Sequence, residues 1–442
     1  MLIKDREFVV GKIKSILILL LVALTVYQTS MLWFVNITNR NFLLNAFPIL
    51  QQTTIPDGLN QLVKPWRVIT IHGDGRFSAQ YSGRAAADSI SYSNMILSQM
   101  LQRGRLVDVQ IIEFDTLLAR AGYIFEYTFP MEAEWFTHGF NQRSDLLVTS
   151  GMGSFRQVII HPPDYSRNDA AIFFLCESGY AYEFSVISPD SGADIFEHVI
   201  AHEAIGAYYL FTELPWGRQF LRQGEFVFKG IEVVNPYLDP HGNFHLDFIQ
   251  GQVAGFFSNP GVIRPTVGSD VWIYRDVNTV VRYYAANVLE YISYRAIDRN
   301  IPSSFENDFA SAVQFLERDH LVINETYLAD FREEEGQRIF YFNYVIDNTP
   351  LVMAQGQGWL RDFQLRYPVV VTVSHGTVIR YRKLAFNFRV NEDVQINALA
   401  DFSSLIGRLG NDFTDVRQGY RITGENMRSQ YWFVDDRTFV LP

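Results

Sequence analysis

A single uncharged stretch near the start of the chain constrains what the rest of it can be. Residues 15–35 read SILILLLVALTVYQTSMLWFV, which is 21 residues without a charged side chain. At a rise of about 1.5 Å per residue, a helix of roughly 20 residues crosses the ~30 Å hydrocarbon core of a bilayer. The sequence therefore predicts a transmembrane helix over residues 15–35.

A cleaved signal peptide is the main alternative for this stretch. Such a peptide has a shorter apolar region that ends in a small-residue cleavage site. This stretch ends instead in the bulky residues Met31, Leu32, Trp33 and Phe34. Trp33 lies where an interfacial aromatic anchor is expected. These features favour a retained anchor over a cleaved peptide or a buried core helix.

The flanking charges predict the orientation of the helix. Lys4, Arg6, Lys12 and Lys14 precede it, and no Lys or Arg follows until Arg40. Because cytoplasmic flanks are enriched in Lys and Arg, the N-terminus is expected in the cytoplasm, with Lys12 and Lys14 as membrane anchors. The remainder of the chain is then extracellular, and the whole is a single-pass cell-membrane protein.

Charge and cysteine content exclude some classes of partner and scaffold. The net charge is −11, and the first 14 residues contribute +2, so the remainder carries −13. An acidic outer part argues against binding nucleic acid. The one cysteine, Cys176, allows no intramolecular disulfide, which excludes a disulfide scaffold. An extracytoplasmic protein without disulfides is typical of a Gram-positive bacterium.

The rest of the chain predicts an α+β fold in several domains. A helix is expected over Gly83–Gln102, from its apolar spacing, and another over Asp190–Phe211. Strands are expected in WRVITIHG, YIFEYTF, QVIIHPP, AAIFFL and YAYEFSVI, from residues 66, 123, 157, 170 and 180. The predicted divisions are a cytoplasmic tail (1–14), the transmembrane helix (15–35), a juxtamembrane linker (36–61), and three α+β domains (62–228, 229–335 and 336–442).

The last two domains are expected to be a repeated unit of sheet, helix and sheet. DVNTVVRYY (276–284) resembles HGTVIRYRK (375–383), each a turn before a strand. A helix is predicted over Ser303–Asp319, with Ser303 and Glu306 as a capping box. Its counterpart is predicted over Asn391–Leu409. Aromatic strands follow: RIFYFNYVI from residue 338, GYRIT from 419 and QYWFV from 430.

Two histidine groups are the candidates for a metal site. His198 and His202 in EHVIAHE are four residues apart, which places both on one helix face. Neither the H-E-x-x-H nor the H-x-x-E-H pattern is complete, because Val199 and Ala201 occupy the positions that need Glu. HGNFHLDF offers His241, His245 and Asp247 along one face of a predicted strand, after a turn.

Nucleophile and phosphate-loop signatures are incomplete. GMGS (151–154) is not a nucleophile elbow, and HGDG (72–75) lacks the spacing of a phosphate loop and is interpreted as a turn between strands. Cys176 lies in an apolar run, where thiols are usually buried and inert. The sequence thus gives no positive argument for an enzyme, a metal or a cofactor.

The N-terminal segment resembles that of a known family. KSILILLLVALTVYQTSMLWF follows the pattern K-S-I-L, apolar residues, Q-x-x-x-L-W-F of the YycH (WalH) family. The length, the PWRVI strand near residue 65 and the aromatic C-terminal strands are also similar. The resemblance implies a non-catalytic, membrane-anchored regulator of the WalK/WalR (YycG/YycF) two-component system, which controls cell-wall metabolism. It also implies two partners, a WalK-like sensor histidine kinase and a smaller YycI-like single-span protein.

Polar side chains in the span predict where such a partner binds. Leu21, Thr25, Gln28 and Leu32 recur at helical spacing and form one stripe. A polar amide in a transmembrane helix often faces another helix, and hydration near the outer headgroups is the alternative for Gln28. Two other functions stay open: a metal-dependent cell-envelope hydrolase that uses His198 and His202, and a scaffold that binds cell-wall polymers.

Overall fold

The fold is a mixed α+β arrangement made mostly of strands. The computed structural model describes residues 65–73, 77–80, 83–111, 114–139, 146–163, 168–187, 208–211, 219–222, 228–234, 246–257, 265–268, 270–319, 326–346, 349–353, 362–396, 416–423, 426–434 and 437–439. None of the helices in these ranges is both long and apolar enough to cross a membrane. The predicted span over residues 15–35 lies outside them.

The first sheet of the described chain contains nine strands in the order β3-β7-β6-β5-β4-β1-β2-β8-β9. Every pairing between them is antiparallel. Their bounds are β1 Arg67–Ile71, β2 Phe77–Gln80, β3 Arg105–Ile111, β4 Gly122–Glu132, β5 Ser154–His161, β6 Asp169–Cys176, β7 Tyr180–Ile187, β8 Tyr208–Phe211 and β9 Gln219–Arg222. The five strands predicted from the sequence here are confirmed.

Helices cover parts of both faces of the first sheet. They are α1 Gly83–Arg103, α2 Phe114–Leu118, α3 Ala133–Gly139 and α4 Leu146–Thr149. Helix α1 buries Ile96 and Met100 in the main core, while α2 buries Leu117 in a second cluster with Ile159. Because apolar groups cover both faces, central strands such as β6 (DAAIFFLC) are apolar at every position after the first rather than alternating.

The second sheet is built around one long helix, α6 (Phe305–Arg318). The strand order is β11-β12-β13-β14-β19-β18-β16-β17-β21-β22-β23, with β15 also paired to β16. A separate pair joins β10 to β20, and a short helix, α5, spans Leu246–Ala254. The bounds are β10 Phe228–Val234, β11 Thr266–Val267, β12 Val271–Arg275, β13 Thr279–Tyr284, β14 Val288–Ser293, β15 Thr326–Glu334, β16 Gln337–Ile346, β17 Thr349–Val352, β18 Val369–Ser374, β19 Thr377–Leu384, β20 Asn387–Ile396, β21 Val416–Thr423, β22 Asn426–Val434 and β23 Arg437–Phe439.

Helix α6 has the apolar face that the sequence predicts but a different cap. Phe309, Val313 and Leu316 are buried as expected. The N-cap is Ser304, whose Oγ accepts a hydrogen bond from the backbone N–H of Asn307 at 3.2 Å. The predicted capping box of Ser303 and Glu306 is therefore wrong by one residue. Ser303 instead donates to the carboxylate of Asp308 at 3.1 Å.

A tight hairpin docks on the start of α6. His375 (φ +47°) and Gly376 (φ +70°) form the two-residue turn between β18 and β19, and the repeated positive φ is typical of a type I′ hairpin. The backbone N–H of Gly376 donates to Asp308 at 2.6 Å. The turn predicted before this strand is confirmed, and so is the turn at Asp276, whose carboxylate accepts from the backbone N–H of Thr279.

Aromatic rings join the first sheet to α6 and β15. The ring of Trp135 in α3 stacks on Phe305 with centroids 4.1 Å apart, and Phe129 in β4 lies 6.3 Å from Phe331. The hydroxyl of Thr128 donates to the carbonyl of Leu328 at 3.0 Å. These contacts form what we call the aromatic seam, which also includes Trp66 and Tyr327 with ring centroids 6.5 Å apart.

Two helices predicted from the sequence need correction. Residues 208–211 form strand β8, so the helix predicted over Asp190–Phe211 is wrong there, and residues 190–207 lie outside the described chain. Residues 391–396 belong to β20, so the helix predicted over Asn391–Leu409 is wrong at its start. Tertiary pairing with β10 outweighs the local helical pattern there.

The repeat and the domain boundaries stay predictions. Residues 397–409, which would contain most of the second unit's helix, lie outside the described chain. Strand β14 pairs with β19, so strands from both sides of the predicted 335/336 boundary share one sheet.

Candidate functional site: an exposed apolar strand

The strand β3 carries a group of exposed apolar side chains. It pairs with β7 and ends the first sheet of the described chain. All seven of its residues are exposed, with Val107 at 51% and Ile111 at 71%. We call the exposed apolar group here the β3 patch; it consists of Leu106, Val107, Val109, Ile111 and the neighbouring Tyr180. Clustered exposed apolar side chains typically mark a surface that binds another protein.

Glycine at position 104 allows β3 to begin directly after α1. The backbone N–H of Gly104 donates to the carbonyl of Met100 at 2.7 Å, which closes the helix. A Cβ at residue 104 would lie only 2.5 Å from that carbonyl oxygen. Because only glycine tolerates this approach, the chain can pass from a packed helix into the strand without a loop.

The pairing of β3 with β7 places the patch on the same face of the sheet as residues of the main core. Leu106 lies opposite Phe184, Val109 opposite Tyr182 and Ile111 opposite Tyr180. Cross-strand partners lie on the same face of a sheet. Phe184 is fully buried, whereas Tyr180 at the other end of the row is 46% exposed. The patch is therefore the solvent-exposed end of the apolar face that α1 covers.

The backbone edge of β3 is protected against pairing with a further strand. The register shifts between Leu106 and Asp108, which places a bulge at Val107. Bulges and charged residues are devices that prevent edge-to-edge pairing. The carboxylate of Asp108 also accepts a hydrogen bond from the backbone N–H of Val109 at 2.8 Å. The apolar side chains, rather than the backbone, are thus the groups available to a partner.

The structure does not test the site residues predicted from the sequence. The proposed membrane partner face (Leu21, Thr25, Gln28 and Leu32) and the anchors (Lys12, Lys14 and Trp33) lie outside the described residues, as do His198, His202, His241 and His245. Helix α5 begins at Leu246, so the prediction of a strand through Asp247 is wrong. Within the described residues, no three His, Cys, Asp or Glu side chains are grouped closely enough to hold a metal ion.

The remaining sequence candidates have structural roles. Cys176 is buried at the end of β6, and burial raises the pKa of its thiol to about 11, so it is a poor nucleophile. His72 and Gly73 follow β1 in the turn toward β2, as predicted. Ser154 begins β5 and is preceded by α4 rather than by a strand, so the arrangement of a nucleophile elbow is missing.

The β3 patch was not identified from the sequence. The stretch RLVDVQI follows a helix directly and mixes β-branched residues with two charged ones, Arg105 and Asp108, which is a weak strand signal. Nothing in that pattern distinguishes an exposed strand from a buried one.

Comparisons with known proteins identify the fold. No protein-family model matches the sequence, and no curated protein matches it either. The structure is similar to the crystal structure of YycH from Bacillus subtilis, with a TM-score of 0.58 and 12% sequence identity, over 86% of this chain and 96% of that chain. The YpeB C-terminal domain of Bacillus megaterium has a TM-score of 0.26 and 14% identity over 42% of this chain and 85% of its own, which is too low to support an argument. The family resemblance predicted from the N-terminal segment is confirmed at the level of the fold, and the chain has a YycH-like fold.

Proposed function

We propose that the chain is a membrane-anchored, non-catalytic regulator of a sensor histidine kinase in a two-component system that controls cell-wall metabolism. The observation that carries this proposal is the likeness to YycH over 86% of this chain. The N-terminal sequence supports it, because residues 15–35 have the length and composition of a membrane span. Its partners are a WalK-like kinase and a YycI-like single-span protein.

Two surfaces are proposed to make the contacts. Within the membrane, the stripe of Leu21, Thr25, Gln28 and Leu32 packs on a partner helix, with Gln28 supplying an interhelical hydrogen bond. Outside the membrane, the β3 patch contacts the outer domain of the same partner, the sensor kinase. An apolar patch with few charges suits a protein partner better than a charged polymer.

Co-purification of the kinase with the full-length chain from membranes tests both surfaces. Gln28→Leu is compared with Ser30→Leu, a control two residues on and about 200° around the helix. Ile111→Lys is compared with Val277→Lys, since Val277 is an apolar residue outside the β3 patch that is 94% exposed. Each test variant is expected to lower kinase recovery at least about fivefold, as for an interface residue worth over 1 kcal/mol. Each control is expected to leave recovery unchanged.

The outcomes separate the parts of the proposal. Failure of the unmodified chain to recover any sensor kinase would contradict the regulatory function. Equal recovery with Gln28→Leu and Ser30→Leu would remove the membrane stripe from the contact. Equal recovery with Ile111→Lys and Val277→Lys would remove the β3 patch.

A further inference from the structure

A group of arginines lies on the face of the second sheet that points away from α6. Asp319, at the C-terminal end of α6, accepts hydrogen bonds from the hydroxyl of Tyr381 at 2.5 Å and from the ammonium of Lys383. Successive side chains of a strand point to opposite faces. Arg380 and Arg382 of β19 therefore lie on the other face of the sheet.

These arginines surround one buried carboxylate. The register of the three paired strands places Glu290 of β14 between Arg282 of β13 and Arg382 of β19. One oxygen of Glu290 accepts from Nε and Nη2 of Arg380 at 2.9 and 2.5 Å. The other accepts from Nη1 of Arg282 at 3.2 Å and from the hydroxyl of Tyr284 at 3.0 Å. Burial acts to raise the pKa of Glu290, but the bonds and charge of Arg380, with the bonds from Tyr284 and Arg282, lower it overall.

The guanidinium groups outnumber the carboxylates at this place. Arg382 is buried, and its Nη1 donates to the carbonyl of Phe363, which neutralises no charge. Its Nε has no hydrogen-bond partner among the described residues. Burial and the charge of Arg380 lower the pKa of Arg382 to about 10, and the charge of Glu290 acts in the opposite direction. Among the residues that the structure describes here, three arginines thus share one glutamate, which is a local excess of two positive charges in a chain of net charge −11.

Two of these arginines are open to solvent while the carboxylate is not. The side chain of Arg282 is 34% exposed and that of Arg380 is 44% exposed, against 3% for Glu290. A ligand approaching this face therefore meets guanidinium N–H groups first. Those groups are already held in place, because both arginines are anchored to opposite oxygens of the same carboxylate.

We propose that Arg282 and Arg380, backed by Arg382, form a binding site for a phosphate group. A phosphate monoester or free phosphate carries about −1.5 to −2 charges near neutral pH, which balances the local excess of two, whereas a carboxylate balances only half of it. Guanidinium groups bind phosphate oxygens through paired, charge-assisted hydrogen bonds. The bound group is either free phosphate or a phosphate monoester carried by a larger molecule.

Calorimetric titration of the purified full-length chain tests this site. The probes are inorganic phosphate, glycerol 3-phosphate as a simple monoester, and acetate as a carboxylate. Both phosphate probes are expected to bind more tightly than acetate, and more weakly as salt increases. Tighter binding of inorganic phosphate would identify the free ion as the ligand, and tighter binding of the monoester would identify a phosphorylated molecule.

Variants connect the binding to these residues. Arg380→Gln and Arg282→Gln are each expected to weaken phosphate binding at least about tenfold, because each removes a charge-assisted donor. Arg380→Lys keeps the charge but loses the planar guanidinium with its paired N–H donors. Its phosphate affinity is therefore expected to lie between those of Arg380→Gln and the unmodified chain. The matched control is Arg156→Gln, since Arg156 is 52% exposed and also bonds to a carboxylate, that of Glu177.

Three results would overturn the site. The first is no phosphate binding by the unmodified chain, and the second is acetate binding as tight as phosphate. The third is equal loss of affinity in Arg380→Gln and Arg156→Gln. Circular dichroism and thermal unfolding of each variant check that it folds, and Arg282→Gln supplies a second reading if Arg380→Gln does not.

Discussion

Replacement of Asp308 by alanine is expected to destabilise the second sheet strongly. The carboxylate of Asp308 is fully buried and accepts from Nη1 of Arg338 at 2.6 Å, from Ser303 Oγ at 3.1 Å and from the backbone N–H of Gly376 at 2.6 Å. Alanine would leave the guanidinium of Arg338, whose side chain is 12% exposed, without this partner. Breaking a buried ion pair from one side costs about 3–5 kcal/mol.

Two further variants place the loss of stability in Asp308→Ala on a scale. Asp308→Asn keeps an acceptor for Gly376 but loses the charge opposite Arg338, so a loss of about 1.5–3 kcal/mol is expected. Arg156→Ala is the exposed control, because the Arg156–Glu177 pair is about half exposed on both sides. Such a pair contributes about 0–1 kcal/mol.

Urea denaturation of the full-length chain, followed by circular dichroism, measures these losses. The expected order of stability is Arg156→Ala, then Asp308→Asn, then Asp308→Ala as the least stable. If Asp308→Ala unfolded at the same urea concentration as Arg156→Ala, this buried carboxylate would not be what holds α6 to the β18–β19 hairpin.

Three further predictions concern titration, thiol reactivity and metal content. The pKa of Glu290 is lowered in the folded chain, so its contribution to stability is present above the ordinary value of 4.5 and is lost as pH falls through the folded pKa. Glu290→Gln is expected to flatten the decline of the thermal midpoint over that acidic range. Cys176, with a pKa raised to about 11, is expected to resist iodoacetamide at pH 8 in the folded chain and to react after denaturation, as measured by mass spectrometry. If the chain is a non-catalytic regulator, elemental analysis is expected to find no stoichiometric zinc.

A specific result would contradict each of these predictions. A Glu290→Gln variant with the same acid sensitivity as the unmodified chain would mean that Glu290 titrates with an ordinary pKa. Rapid alkylation of the folded chain would place Cys176 in contact with solvent. One zinc per chain, lost on His198→Ala and His202→Ala substitution, would favour the metal-dependent hydrolase.

Local periodicity predicted much of the first sheet and the two long helices. Helix α1 ends at Arg103, one residue beyond the predicted Gln102, and β7 has the predicted bounds Tyr180–Ile187. These elements succeed because each has a clear apolar face or a continuous apolar run between turn residues. Helix α6 was predicted one residue off at its cap because Ser303 and Ser304 are both capable of capping, and the sequence does not show that Ser303 instead bonds to Asp308.

The failures come from interactions between distant parts of the chain. The residues NEDVQI of β20 alternate poorly, and their strand conformation depends on β10, more than 150 residues earlier. The β3 patch and the arginine group are likewise invisible to periodicity. Exposure of Ile111 and convergence of Arg282 and Arg380 on Glu290 follow from strand order, which the sequence pattern alone does not specify.

The aromatic seam has a consequence for the order in which the chain can fold. Its partners are far apart in sequence: Trp66 meets Tyr327, Thr128 meets Leu328, and Trp135 meets Phe305. In a chain emerging from the ribosome, Trp66, Phe129 and Trp135 therefore lack their seam partners until more than 150 further residues have been made. Contacts of such long sequence separation slow folding and leave apolar surface open to aggregation. Nascent chains that stop before residue 300 would thus be substrates for chaperones rather than independent folded pieces.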